Sequence, residues 1–325
     1  MTNPRAPEPV FSQPAVLFER DRAGHKGTFG TVLVVGGCAH APRHMLGGAM
    51  LAARAALRVG AGRVVAAVPA PLANDALVLL PEATVVPLPV DADGAILAAE
   101  SAEAIDAALS GVDAIVIGPA LGRSAGAAQV VMRLVSLGDR PLVVDADAIR
   151  AFAAHRDPVL DLRGTVIFTP HPGEAAVLAE ALGLEVDCVE RGTRPTAAIE
   201  LAQRVGAVMV LKGAGTVTSD GLRVWRCERG GPALATGGSG DVLAGIVGGL
   251  FAQFAVRDRA VRGGTSRDTP SAQAAQLPGA IAALAVEIHG CAGDLWAVAH
   301  GDAGLLAHEI ADLVPDAMRA LRAKP

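Results

Sequence analysis

The chain has 325 residues, of which 51% are hydrophobic, and a formal net charge of −5. That apolar content excludes a disordered or low-complexity chain, and the acidic balance argues against a surface built to grip nucleic acid. Aromatic residues make up 3% with no Tyr, so Ala, Val and Leu must fill the core, as suits helices packed closely on a buried sheet.

Residues 1–24 are Pro-rich and of mixed polarity, and read as a flexible N-terminal arm without the order of a signal peptide. HKGTFG (25–30) then forms either a phosphate clamp or a surface turn. TVLVVGG (31–37) reads as a buried strand, and 46–60 as a helix stopped by Gly60. RVVAAVP (63–69) and DAIVIGPALG (113–122) are strands, followed by a helix over 127–138 and a strand, PLVVDADA (141–148), ending in acids. TVIFTPHPGE (165–174) is a strand running into a turn, with helices over 174–182 and 196–206. AVMVLKGAGTV (207–217) is the next strand, and 216–226 a hairpin turning at Asp220-Gly221. An apolar helix covers 241–254, and two more cover roughly 279–299 and 303–322. Between them, 257–279 is polar and rich in Gly, Ser, Thr and Arg, and reads as an exposed loop insertion.

Alternating strands and helices predict an α/β fold with a mostly parallel sheet covered on both faces. The longest apolar run, near Val242–Val256, contains Gln253 and falls short of the ~20 residues a membrane span needs. Cys38, Cys188, Cys227 and Cys291 are scattered, without a CxxC pair, as expected of reduced thiols. A soluble, cytoplasmic protein with no membrane and no nucleic-acid partner is the expectation.

The informative polar residues fall just after apolar runs. Five predicted strands end in glycines, acids, His and Glu, or Lys and Gly, and a parallel sheet would place all five ends on one rim, where ligands bind. GGSGDVLAG (237–245) is the strongest local signal. Its glycines let several N–H groups converge, and the helix opening near Gly240 adds its positive end, making a pocket for phosphate or a developing anion. Asp241 would repel an anion there. It therefore either caps the helix or faces the pocket as general base for a substrate hydroxyl. No complete Walker or dinucleotide fingerprint occurs. Lys212 in LKGAGT is a strand-end Lys followed by small residues that let a ligand approach. Glu174 could contact Mg²⁺ through water, since Mg²⁺ needs few protein ligands, whereas a structural zinc site is not indicated. His289, His300 and His308 read as structural or exposed.

Taken in order, HKGTFGTVLVVGG, GGAMLAARAALRVGAGRV, GPALG, VVDADA, TPHPGE, LKGAGT and ATGGSGDVLAGI resemble the ADP- or ATP-dependent NAD(P)H-hydrate dehydratases of the ribokinase-like superfamily. The resemblance runs from about His25 to the C-terminal helices. It implies one three-layer α/β/α domain over 25–325. It also implies dehydration of the S epimer of NADHX or NADPHX, the hydrated cofactors, back to NADH or NADPH, with AMP and phosphate released from ADP. Residue by residue, it implies that Ala49, Gly122, His171 and Asp241 bind the hydrate. Lys212, Gly213, Ala214, Gly215, Thr216 and Gly240 would hold the nucleotide. Asp241 would be the base, with the N–H groups of Gly238, Ser239 and Gly240 stabilising the transferred charge, and Glu174 and Asp145 would position Mg²⁺. The resemblance further implies a homotetramer, and an epimerase on a separate chain. This chain reads GPALG where the family reads GPGLG, so Ala120 would be strained if its φ is positive.

Two other readings compete. A small-molecule kinase of the same fold, of the hydroxymethylpyrimidine or hydroxyethylthiazole type, would share GGSGD, but the GPALG, TPHPGE and KGAGT set favours the dehydratase. A non-catalytic nucleotide-binding regulator would have no need of a base at Asp241.

Overall fold

The computed structural model describes residues 12–155, 162–263 and 277–323. Nine strands among them form one sheet: β1 (Thr31–Val35), β2 (Arg63–Pro69), β3 (Thr84–Leu88), β4 (Ala114–Ile117), β5 (Leu142–Val144), β6 (Val166–Phe168), β7 (Val208–Leu211), β8 (Val217–Ser219) and β9 (Val224–Arg226). Their order is β3-β2-β1-β4-β5-β6-β7-β8-β9. All neighbours from β3 to β7 pair in parallel, and β8 and β9 add an antiparallel hairpin. The order reverses between β1 and β4, which makes the crevice beyond their carboxyl ends the place for a ligand.

The strands are apolar throughout because both faces are covered. Val32, Val34, Ala66, Val116, Val143 and Ile167 face one core, whereas Leu33, Val35, Ala67, Ile117, Val144 and Phe168 face the other. The first core lies under α1 (Gly47–Arg58), α8 (Ser239–Gly263), α9 (Pro278–His300) and α10 (Ala307–Arg322). The second lies under α3 (Ala98–Ala108), α4 (Ala125–Val135), α5 (Asp147–Ala153), α6 (Pro172–Ala181) and α7 (Arg194–Val205). The short α2 (Ala73–Leu79) links β2 to β3. This is the three-layer α/β/α arrangement that the resemblance implies.

Helices α1 and α8 approach so closely that several side chains are excluded. A Cβ on Gly245 would lie 2.1 Å from the Ala52 carbonyl oxygen, and one on Gly249 2.3 Å from a Val59 methyl. Ala49, Ala52, Ala53, Ala55 and Ala56 of α1 are fully buried. The Ala-rich, aromatic-poor composition is thus the composition of a tight helix–helix and helix–sheet seam.

Three expectations change. The arm reading fails for 12–20: Ser12 N–H bonds the Val224 carbonyl, Ala15 N–H bonds Ala280, and the Gln13 carbonyl accepts from Trp225 Nε1 at 2.7 Å. Ala15 is buried and Phe18 packs edge-on against Phe254, so apolar residues among the prolines anchor this segment; residues 1–11 lie outside the described ones. Of the expected loop over 257–279, residues 257–263 continue α8 and α9 begins at Pro278, while 264–276 lie outside the described residues. Helices α8 and α9 are also long and apolar enough to cross a membrane by length and composition, but most of each is buried against the sheet and its neighbouring helices. Strand β3 was not legible in the sequence: it is an edge strand, half exposed, with Pro87 inside it.

HKGTFG folds as a 3-10 turn over Lys26–Phe29, capped by His25 Nδ1, at the amino end of β1. Gly30 packs on Ala252, roughly 20 Å along α8 from Ser239 at 1.5 Å per residue. The turn therefore lies away from the carboxyl rim, which removes the phosphate-clamp alternative.

Candidate active site

Ladder hydrogen bonds run one residue past the parallel strands and set the rim loops in register. Gly118 N–H reaches the Val35 carbonyl, Asp145 N–H Ile117, Thr169 N–H Val144 and Lys212 N–H Pro170. Gly36 admits no side chain, since a Cβ there would lie 2.2 Å from the Pro119 carbonyl oxygen. The loops after β1 and β4 therefore touch at the reversal point, as five aligned strand ends predict.

Asp241 occupies the third position of α8. Its carboxylate lies 3.0 Å from where a Gly48 Cβ would stand, so the first turn of α1 abuts it. The first turns of two helices, α1 and α8, thus meet at this carboxylate. No described residue donates a hydrogen bond to this carboxylate. Burial, reinforced by the charges of Asp145, Glu174 and Asp147 and opposed by Lys212, lifts its pKa to about 7. A carboxyl titrating there serves as a base near neutral pH.

Lys212 Nζ lies 2.9 Å from Asp145 Oδ1 and 3.0 Å from where a Gly240 Cβ would stand. Burial pushes the Lys212 pKa down, but Asp145, Glu174 and Asp241 outweigh it and the net shift is upward. The ammonium is therefore a fixed positive charge between the strand rim and the first turn of α8. Asp145 is 1% exposed, and its Oδ1 also accepts from Thr169 Oγ1 at 2.7 Å.

Glu174 and His171 form a reciprocal cap on α6. His171 N–H donates to Glu174 Oε2 at 3.0 Å, and His171 Nδ1 accepts from the N–H groups of Gly173 and Glu174. With Nδ1 accepting, the neutral ring carries its hydrogen on Nε2, which faces Glu174 Oε1 at 3.3 Å. Glu174 Oε2 is thus bonded, while Oε1 only lies near His171 Nε2. The described residues hold no cluster of three or more His, Cys, Asp or Glu fit to bind a metal by themselves. The set suits Mg²⁺ held by one or two carboxylates, waters and substrate phosphates.

The remaining expected residues lie on the same rim. Ala49 is fully buried in the first turn of α1 and has only main-chain groups to offer a ligand. Gly122 has φ +77 and packs on Cys38, and Ala120 is indeed left-handed at φ 55. The 213–216 loop is closed by Thr216 Oγ1, which bonds the Gly213 carbonyl at 2.9 Å, and is clasped by buried Arg194 through the Ala214 carbonyl. Gly238 has φ +88 and precedes Ser239 at the start of α8.

Sequence reasoning missed three residues. Asp147 Oδ2 accepts Gly122 N–H at 3.0 Å and so ties the GPALG loop to α5; its only signal was its spacing from Asp145. Ala146 between them has φ 49, a second strained non-glycine on the rim. His289, expected to be structural or exposed, reaches Ser239.

An open, mostly parallel sheet with helices on both faces and polar groups gathered at its carboxyl rim is the ribokinase-like α/β fold. A family model described as NAD(P)H-hydrate dehydratase matches residues 32–316, and the chain belongs to that family. The ADP-dependent (S)-NAD(P)H-hydrate dehydratase of Xanthomonas campestris is 35% identical, over 90% of this chain and 89% of its own length. Among solved structures, the ADP/ATP-dependent NAD(P)H-hydrate dehydratase of Bacillus subtilis, co-crystallised with ATP/Mg²⁺, is 29% identical with a TM-score of 0.69, covering 94% of this chain and 95% of that one. A ribokinase-like superfamily protein of Enterococcus faecalis shares the fold at 23% identity and a TM-score of 0.72, covering 94% and 92% of the two chains. The chain spans about half the length of the first curated relatives it matches, which are bifunctional NAD(P)H-hydrate repair enzymes.

Proposed function

We propose that the protein dehydrates the S epimer of NADHX and NADPHX, driven by ADP, and returns NADH or NADPH with AMP and phosphate. The observation that carries this reading is the Asp241 carboxylate, held between two helix starts with a pKa of about 7.

Hydroxide is a poor leaving group from the hydrated ring. Asp241 takes the proton from the ring hydroxyl as that oxygen attacks the terminal phosphate of the nucleotide. The main-chain N–H groups of Gly238, Ser239 and Gly240, with Lys212 beside them, meet the charge that develops on the phosphoryl oxygens. AMP leaves. Phosphate then departs from the ring with its oxygen as the ring nitrogen's lone pair pushes in, and loss of a proton from the neighbouring ring carbon to the departing phosphate restores the nicotinamide double bond. The first turn of α1 around Ala49, the Gly122 loop and His171 border the hydrate, and the closed 213–216 loop holds the nucleotide. Mg²⁺ would be held by Glu174 through water, by Asp145 and by the nucleotide phosphates, and it would neutralise phosphate charge.

ADP is preferred in this reading because the Xanthomonas relative is named ADP-dependent, while the Bacillus enzyme is named for both nucleotides. An epimerase must convert the R epimer. The deciding assay mixes purified protein with NADHX, Mg²⁺ and either ADP or ATP. Reduced-nicotinamide absorbance should return, with one phosphate released per NADH and AMP formed from ADP. A stable phosphorylated product without recovered absorbance would instead mark a kinase, and no recovery with either nucleotide would remove the proposal.

A further inference from the structure

His289 stands on α9, fifty residues from Ser239 in sequence, yet its Nε2 lies 3.0 Å from the Ser239 carbonyl oxygen and 3.1 Å from Ser239 Oγ. A carbonyl oxygen only accepts, so Nε2 at that distance carries the hydrogen and Nδ1 of the neutral ring is bare. Burial pushes the imidazole pKa down to about 4, against the contrary pull of the Ser239 bond and with help from Lys212, so the ring is neutral at ordinary working pH.

One consequence concerns the serine. An Nε2 that carries a hydrogen has no lone pair to offer, so the Ser239 hydroxyl cannot donate to it. No other described residue accepts that hydrogen, although Ser239 is buried at 7% exposure. Such a buried donor needs an acceptor. It sits at the first position of α8, next to Gly240, whose N–H has no partner among the described residues and against which the Lys212 ammonium rests. The Gly240 N–H and the Lys212 ammonium favour an anion against the nearby Asp241 carboxylate, and the acceptor that suits them is a phosphoryl oxygen arriving with the nucleotide.

We propose that His289 is a positioning residue for phosphoryl transfer: its Nε2–H, shared by the Ser239 carbonyl and hydroxyl, fixes the first turn of α8 and commits the Ser239 hydroxyl hydrogen to a phosphate oxygen of the bound nucleotide. The inference rests on the nucleotide-driven reading above. It adds a side-chain donor to the main-chain cradle and a residue on a separate helix that aims it. A tie that merely fastened α9 to α8 would affect melting temperature and leave turnover of the folded enzyme intact.

The test compares wild type, H289Q, H289F, S239A and the double variant H289F/S239A with NADHX, ADP and Mg²⁺. H289F should lower kcat about 10- to 100-fold, somewhat less than the loss of a whole oxyanion donor, with KM for ADP changed less than about threefold. H289Q keeps an N–H of similar reach and should recover kcat to within about fivefold of wild type, and the double variant should lose little more than the worse single one. Full kcat in H289F, a Gln variant no better than Phe at equal melting temperature, or multiplicative losses in the double variant would overturn the inference. If H289F does not fold, H289Q near wild type with S239A at least about tenfold down supports it, and S239A at full kcat overturns it. Nitrogen-15 spectra of histidine-labelled protein read the tautomer without any substrate: a hydrogen on Nδ1 of His289 overturns this inference alone, whereas an inactive wild type overturns the nucleotide-driven reading and the phosphoryl role with it.

Discussion

Asp241 decides the pH behaviour at the scale of single residues. As a base it must be ionised, so kcat/KM should fall on the acid side with an apparent pKa of about 7, and Asp241→Asn should abolish turnover while AMP still binds in calorimetry. The same carboxyl makes a stability prediction of definite sign. Its folded pKa lies above the ordinary value of 3.8, so its contribution is fully present below pH 3.8 and is lost as pH rises through about 7. Asp241→Asn should therefore stabilise the fold by about 2–4 kcal/mol at pH 8 and by little at pH 4, as read from denaturant melts at both pH values. A like effect at both pH values would show that the ionised carboxylate is not under strain. Ala120 offers a smaller test. At φ 55 it pays the left-handed cost without glycine's freedom, so Ala120→Gly should raise stability by roughly 0.5–1 kcal/mol, measured as a shift in urea midpoint.

Among elements, the α1–α8 seam matters most, because it brings the first turns of both helices to Asp241. Gly245 meets the main chain of Ala52, which cannot swing aside as a flexible side chain would. Gly245→Ala should therefore part the helices and destabilise the protein by about 2–4 kcal/mol in chemical denaturation. It should also lower kcat, since the Gly48 turn would withdraw from the carboxylate. Unchanged stability would mean that the seam yields more readily than its close packing implies. The rim loops follow the same logic. Asp147 braces the Gly122 loop, the Glu174–His171 cap braces the start of α6, and Thr216 closes the loop after Lys212. Each loop is stiffened by a side chain a few residues away or on the next strand end, which keeps the site formed before any ligand arrives.

Over the whole molecule, the N-terminal segment is part of the fold. Residues 12–20 run past β9 and α9 to the end of α8, and Arg20 donates to the Gly60 carbonyl and lies over the Phe29 ring. Deleting residues 1–24 should cost about 2–4 kcal/mol from the apolar side chains uncovered. Trp225, which is 3% exposed, should then shift its fluorescence to the red. An unchanged urea midpoint and emission maximum would restore the view of this segment as a loose arm.

Much of this architecture was legible from residue order alone, because apolar runs of strand length, helix-length Ala-rich stretches and glycine punctuation are local features with local causes. The α/β class, the alignment of five strand ends and the GGSGD helix start all followed from such signals, and Asp241, Lys212 and Glu174, singled out by them, lie close together on the rim. Other features depend on which distant segments meet. His289 has no sequence neighbour that marks it, and only the packing of α9 on α8 brings it to Ser239. The elevated pKa of Asp241 is likewise a property of burial and of charges on three other loops. The left-handed backbone at Ala120 and Ala146 opposes the preference of alanine, and is held by the contacts of Gly118 and Asp147 across the rim. Local patterns encode where the chain turns and what it can bury. The electrostatics of the site arise from long-range proximity, which no short window of residues contains.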